Sequence, residues 1–121
     1  MRHGENMIKY KIDITIYSTK NELNKAITAS NNPNLILEKI KNNNYFCSTP
    51  EFVCKKQPAE KLKNHIKKYR KLLSSLNAGE IYANIIILND KNQLNSEFYF
   101  SHDLIELLNK YKIQINMAID N

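Results

Sequence analysis

The sequence predicts an α+β domain: a mainly antiparallel sheet of four to five strands with helices packed on one face. Three observations carry this. The first and last apolar stretches, Lys9–Tyr17 and Lys112–Asp120, alternate with a period of two and are apolar on one side only, as half-buried strands are. Between them, residues 58–77 carry apolar residues at spacings of three and four, the period of a helix that buries one stripe. With 121 residues, 42% of them hydrophobic and 25% charged, one domain over 1–121 is expected, with residues 1–8 as a loose N-terminal arm.

Taken in order, Tyr10, Ile12, Ile14 and Ile16 form the buried row of the first strand. Thr19-x-x-Glu22 then reads as a capping box, and the short helix behind it carries Leu23, Ala26 and Ile27. Asn31-Asn32-Pro33-Asn34 ends that helix. A second short helix is expected from Leu35, Ile36, Leu37 and Ile40, followed by a polar connection over 41–44. Residues 45–54 favour β-structure but are divided by Pro50, so an edge strand or irregular hairpin is expected.

The long helix follows. Pro58 suits a first helical turn, where its missing N–H has no partner to lose, and Ala78-Gly79 supplies a stop. Ala59, Leu62, Ile66, Tyr69, Leu73 and Leu76 form the buried stripe, widened by Leu72. Glu80–Leu88 is apolar on both faces, the sign of a central strand. After a polar turn over 89–96, a short strand is expected at 97–100 and a helix at 103–110, capped by Ser101. A last strand places Ile113, Ile115, Met117 and Ile119 inward. The expected order is β-α-α-β-α-β-β-α-β.

Formal net charge is +6, and its source is local. Residues 55–71 hold eight basic residues against Glu60 alone. Of these, Lys63, Lys67, Arg70 and Lys71 lie together on the outer side of the predicted helix and are the candidate partner-binding residues. A patch of this kind attracts nucleic acid, an anionic surface or an acidic protein, and its bland alternative is a solvated helix face.

Catalytic patterns are sparse. His3, His65 and His102 stand in no metal-ligand spacing, and His65 at the edge of the apolar stripe reads as a structural histidine. His102-Asp103 at a helix start reads as surface and capping polarity rather than as an acid–base pair. Cys47 and Cys54 read as reduced thiols, at least one of them packed; C-x₆-C without a second ligand pair is a poor zinc site. Asp13 and Glu51 are isolated carboxylates. No enzyme activity, cofactor or metal is expected. No apolar run approaches the ~20 residues that span a bilayer. MRHGENMIKY lacks the apolar core of a signal peptide, so the cytoplasm is the expected compartment.

The C-terminal third, EIYANIIIL, a polar turn, then EFYFSHDLIELLNKYKIQINMAIDN, resembles the end of a widespread bacterial family of small uncharacterised domains. There a strand pair is followed by a Ser-started helix and a short last strand. The similarity extends through the long helix to the opening strand, but this chain has no Trp and only two Gly where the family commonly has both. Small α+β bacterial proteins of this kind look like immunity proteins of contact-dependent growth inhibition and other polymorphic toxin systems. The resemblance implies a non-enzymatic toxin inhibitor that binds one cognate toxin domain, and it carries over no catalytic residue. Immunity proteins to nucleases are often acidic, so a basic one points to an acidic toxin surface or to contact through another face. The alternative is a nucleic-acid-binding accessory protein that uses the basic helix 58–77.

Overall fold

The structure, a computed structural model, describes residues 8–32, 34–88 and 98–120. Its elements in chain order are β1 (Lys9–Thr19), α1 (Lys20–Ser30), β2 (Glu38–Lys41), β3 (Asn44–Ser48), β4 (Phe52–Cys54), α2 (Pro58–Lys68), α3 (Arg70–Ser74), β5 (Glu80–Leu88), α4 (His102–Lys110) and β6 (Ile113–Asp120). The strands form a sheet of order β2-β3-β1-β5-β6, with β4 beside β1. The helices lie on one side, so the α+β class and the one-sided packing are as the sequence implies. The element order also agrees over most of the chain. One pair, β5–β6, is parallel, and α4 lies on the connection that parallel neighbours require.

The one-sided alternation of β1 holds through the sheet. Ile12, Ile14 and Ile16 are fully buried, and opposite them on β5 stand Ile85, Ala83 and Ile81. Leu62, Ile66 and Leu72 close over this row from the helix layer, joined by Leu23 of α1 and Leu104 of α4. The apolar stripe of the basic helix is therefore the roof of the core. At ~25 cal/mol per Å² of apolar surface removed from water, such a layer supplies the main drive for folding.

Local signals set the helix ends. Thr19 Oγ1 accepts from the Glu22 N–H at 3.3 Å, half of the expected capping box. The Glu22 carboxylate does not complete it. Oε1 instead accepts from the N–H groups of Asn77 and Ala78, at 2.9 and 3.3 Å, and ties the start of α1 to the turn after α3. Ser101 Oγ accepts from the Leu104 N–H at 3.2 Å, as its place before α4 implies. Pro58 is the first residue of α2.

Four expectations need correction. Met117 and Ile119 of β6, expected inward, are exposed, and only Ile113 and Ile115 of that row reach the core. Residues 35–41 are not a helix: Glu38–Lys41 is β2, hairpinned to β3 through Asn42-Asn43. Asn42 takes a left-handed φ of 55°, which asparagine tolerates and a tight hairpin uses. Leu35 and Leu37 pack on the core while Ile36 between them is exposed, a strand-like alternation rather than a helical stripe. The helix of 58–77 is in fact two helices that meet at Tyr69. Its N–H is shared between the carbonyls of His65 and Ile66, each at 3.2 Å, which tightens the turn before Leu73 N resumes bonding to Tyr69 O. Phe98–Phe100 is held by ring packing rather than by a strand pair: Phe98 lies edge-on to Tyr10 at 6.2 Å and against Phe100 at 4.9 Å. Glu97, the 89–96 turn and residues 1–7 of the arm lie outside the described residues; Ile8 packs against the core.

Pro50 divides the β3–β4 segment as expected, and the division has a physical use. β3 pairs with β1 over Thr15–Thr19, and β4 pairs with it over Tyr10–Ile12. In the gap, the Thr49 N–H donates to Ile14 O at 2.9 Å, and the Ile14 N–H donates to Thr49 Oγ1 at 3.0 Å. A side-chain oxygen thus stands in for the carbonyl that an unbroken strand would present, and no buried N–H of β1 is left unpaired there.

Candidate functional site

The helix stripe that packs the core also fixes where its cations go. Leu62, Ile66 and Tyr69 face inward, so the basic residues of α2 divide onto two flanks. Lys63 and Lys67 face α4. Lys61 and Lys68 border a cleft of about 310 Å³ with Glu51, Phe52, Asn64 and His65.

The α4 flank is a groove of about 630 Å³ in which Lys63, Lys67 and Lys110 stand with Asp103 and Glu106. Lys63 Nζ lies 3.2 Å from Glu60 Oε1 and 3.8 Å from Asp103 Oδ2, and its side chain is only 15% exposed. Of the four candidate partner-binding residues, Lys63 is therefore committed inside the molecule, where it bridges α2 to α4. Lys67, Arg70 and Lys71 are exposed. Arg70 Nη1 donates to Lys67 O at 3.0 Å and so stays beside Lys67 across the Tyr69 break. Lys71 uses its backbone carbonyl to accept from Ser74 and Ser75 hydroxyls. Sequence periodicity found these exposed cations, but it held no sign that two carboxylates of α4 would face them.

The second flank encloses a buried polar contact. His65 Nε2 lies 2.7 Å from Thr49 Oγ1, with the rings of Phe52 and Tyr69 each 4.9 Å away. The Thr49 hydroxyl also accepts from the Ile14 N–H, and which partner donates in its bond with His65 follows the imidazole tautomer. Burial first, and then the charge of Lys68, holds the imidazole pKa down to about 4. His65 is thus a structural histidine, packed and hydrogen-bonded as its place in the helix stripe implies.

Cys47 is buried on β3, where desolvation pushes its thiol up to about 11 and so suppresses the thiolate. Cys54, half-buried on β4, is raised by burial against the opposing pull of Lys61. His102 is exposed on the first turn of α4, its Nε2 3.5 Å from Glu106 Oε2. Asp13 Oδ1 accepts from Asn84 Nδ2 at 2.8 Å on the sheet face away from the helices. Among the described residues no group of three or more His, Cys, Asp or Glu side chains is placed to hold a metal ion. No described helix is long and apolar enough to cross a membrane.

The sheet face opposite the helices is a second surface, one that the residue alternation implied only as polar. Ser48, Thr15, Asn84 and Asn116 join across four strands through side-chain hydrogen bonds of 3.0, 2.8 and 3.3 Å. Tyr17 closes one end of this face against Phe46 and Tyr82, with ring centroids 5.8 and 5.7 Å away.

Comparison with protein-family models and with curated proteins gives no match. Among solved structures, the crystal structure of MupZ from Pseudomonas fluorescens is similar over 97% of this chain and 89% of that one, at 15% identity and a TM-score of 0.36. A likeness that loose carries no argument about function.

Proposed function

We propose that this protein is a non-enzymatic immunity protein, which binds a cognate bacterial toxin domain and blocks it. The sequence resemblance supplies the toxin. The observation that supports a protein partner over a nucleic acid is the mixed charge of the α2–α4 groove, where Asp103 and Glu106 stand among Lys63, Lys67 and Lys110. A polyanion gains from each cation it meets and is repelled by each carboxylate. A folded partner presents both signs and can match both, so such a surface selects among partners as well as attracting them. Docking uses Lys67, Arg70 and Lys71, the exposed cations, while Lys63 holds α4 in place beside them.

The test is protection. The toxin encoded beside this protein is expressed with and without it in a susceptible host, and binding of the purified pair is measured by titration calorimetry. Growth rescue together with a one-to-one complex is expected. Tight binding to random-sequence DNA or RNA, with no toxin association, would replace this reading with the nucleic-acid one.

A further inference from the structure

The cleft on the flank of α2 away from α4 holds a buried polar side chain whose hydrogen bonding is incomplete. One wall is the helix, where Lys61, His65 and Lys68 recur at spacings of four and three and so share a face. The other wall is Phe52 at the start of β4 with Glu51 before it. His65 is only 9% exposed and packs against the rings of Phe52 and Tyr69. Its Nε2 is taken by Thr49 Oγ1, but its Nδ1 has no hydrogen-bond partner among the described residues. Buried polar atoms are nearly always paired, so a partnerless nitrogen in a side chain that lines a cleft marks a place for a ligand atom.

The charges say which kind of ligand. Lys61 and Lys68 are exposed, and neither is ion-paired among the described residues, unlike Lys63. Both ammonium groups act on the cleft wall. Burial and then the charge of Lys68 keep the His65 imidazole neutral, while burial raises the Cys54 thiol and the charge of Lys61 pulls it back. Two cations without counter-ions beside an unpaired imidazole nitrogen favour an anion. Phe52 and Tyr69 add an aromatic side, against which a flat apolar body packs well. Glu51 also lines the cleft and opposes a second negative charge, so a monoanion suits it better than a dianion. The volume of about 310 Å³ is at the small end for ligand sites, enough for a single ring.

We propose that this cleft binds a small aromatic monocarboxylate, its ring against Phe52 and Tyr69 and its carboxylate between Lys61 and Lys68, where it accepts the Nδ1 hydrogen of His65. In that complex the imidazole is fixed as the tautomer whose Nε2 accepts from the Thr49 hydroxyl. The inference is independent of the toxin-binding reading, which uses Lys67, Arg70 and Lys71.

The probe is benzoate, titrated into the isotopically labelled full chain and followed by NMR. Benzamide serves as its uncharged isostere and inorganic phosphate as an anion without a ring. The parent is expected to bind benzoate with a Kd of about 1 mM or tighter, and to bind benzamide and phosphate about tenfold or more weakly. The ring resonances of His65 should shift, and those of His102 should not. Lys61→Gln/Lys68→Gln is expected to lose benzoate affinity about tenfold or more with its circular dichroism unchanged, since both side chains are exposed. Lys20→Gln/Lys25→Gln, which removes as much charge from exposed positions on α1, is expected to bind as the parent does. No shift at His65 by about 20 mM benzoate overturns the proposal. So does benzamide that binds as well as benzoate, or parent-like binding by the Lys61/Lys68 variant. Phosphate that binds more tightly than benzoate overturns the aromatic acid as the occupant.

Discussion

His65 Nε2 stands 2.7 Å from Thr49 Oγ1, and this one buried contact joins the basic helix to the interrupted strand beneath it. The Thr49 oxygen also accepts from the Ile14 N–H of the central strand. A charged imidazolium is disfavoured here, since it would remain out of water and face the charge of Lys68.

Stability is therefore expected to fall on acidification. The folded pKa of His65 is held near 4, below its ordinary 6.5, so the unfolded chain takes up the proton first. The stabilisation is fully present above pH ~6.5 and is lost as pH falls toward ~4, on the order of 1–3 kcal/mol in all. Urea unfolding at a series of pH values checks this. His65→Gln should be less stable at neutral pH but flatter across that window. An unchanged slope in the variant would place the titrating group elsewhere.

The roof of the core predicts a large response to truncation. Leu62 and Ile66 are fully buried between α2 and the sheet. Leu62→Ala and Ile66→Ala are each expected to cost about 2–5 kcal/mol, from lost burial and the cavity left behind. Thermal unfolding measures this, and an unchanged midpoint in both variants would contradict the placement of this stripe.

Gly79 sets the turn between α3 and β5. Its φ is +141°, and a Cβ there would stand 2.5 Å from Tyr17 O and 2.9 Å from Ser18 Cβ. The same crossing is fastened by the Ser18 hydroxyl, which donates to Ala78 O. Gly79→Ala is expected to destabilise by about 1–3 kcal/mol or more, from a strained backbone and a steric clash together. Chemical denaturation would show it. A neutral result would mean that this turn can move away from β1.

The elements whose signals are local were legible in the sequence. Alternation marked β1 and β6, an apolar run marked β5, Thr19 and Ser101 marked helix starts, and Pro58 marked the first turn of α2. Where the signal is not local, the sequence misled or was silent. The β2–β3 hairpin turns on an Asn in a left-handed conformation, without the Gly that usually announces such a turn. The break at Tyr69 interrupts an unbroken helical period that contains no Gly or Pro. The candidate site divides the same way. Helical spacing was enough to expose Lys67, Arg70 and Lys71. It could not tell that Asp103, forty residues away in the chain, would engage Lys63 and turn a basic stripe into a groove of mixed charge.

The proposed docking of an acidic toxin surface on the exposed cations of α2 and α3 is tested most directly by association kinetics with any toxin domain encoded beside this protein. The parent is compared with Lys67→Glu/Lys71→Glu at low and high salt, after circular dichroism has shown that both are folded. Charges at the edge of an interface act mainly on encounter. The double variant is expected to associate about tenfold or more slowly at low salt, and the gap should narrow as salt screens the field. Association and protection by the variant that match the parent at every salt concentration would contradict the claim and move the interface away from this face.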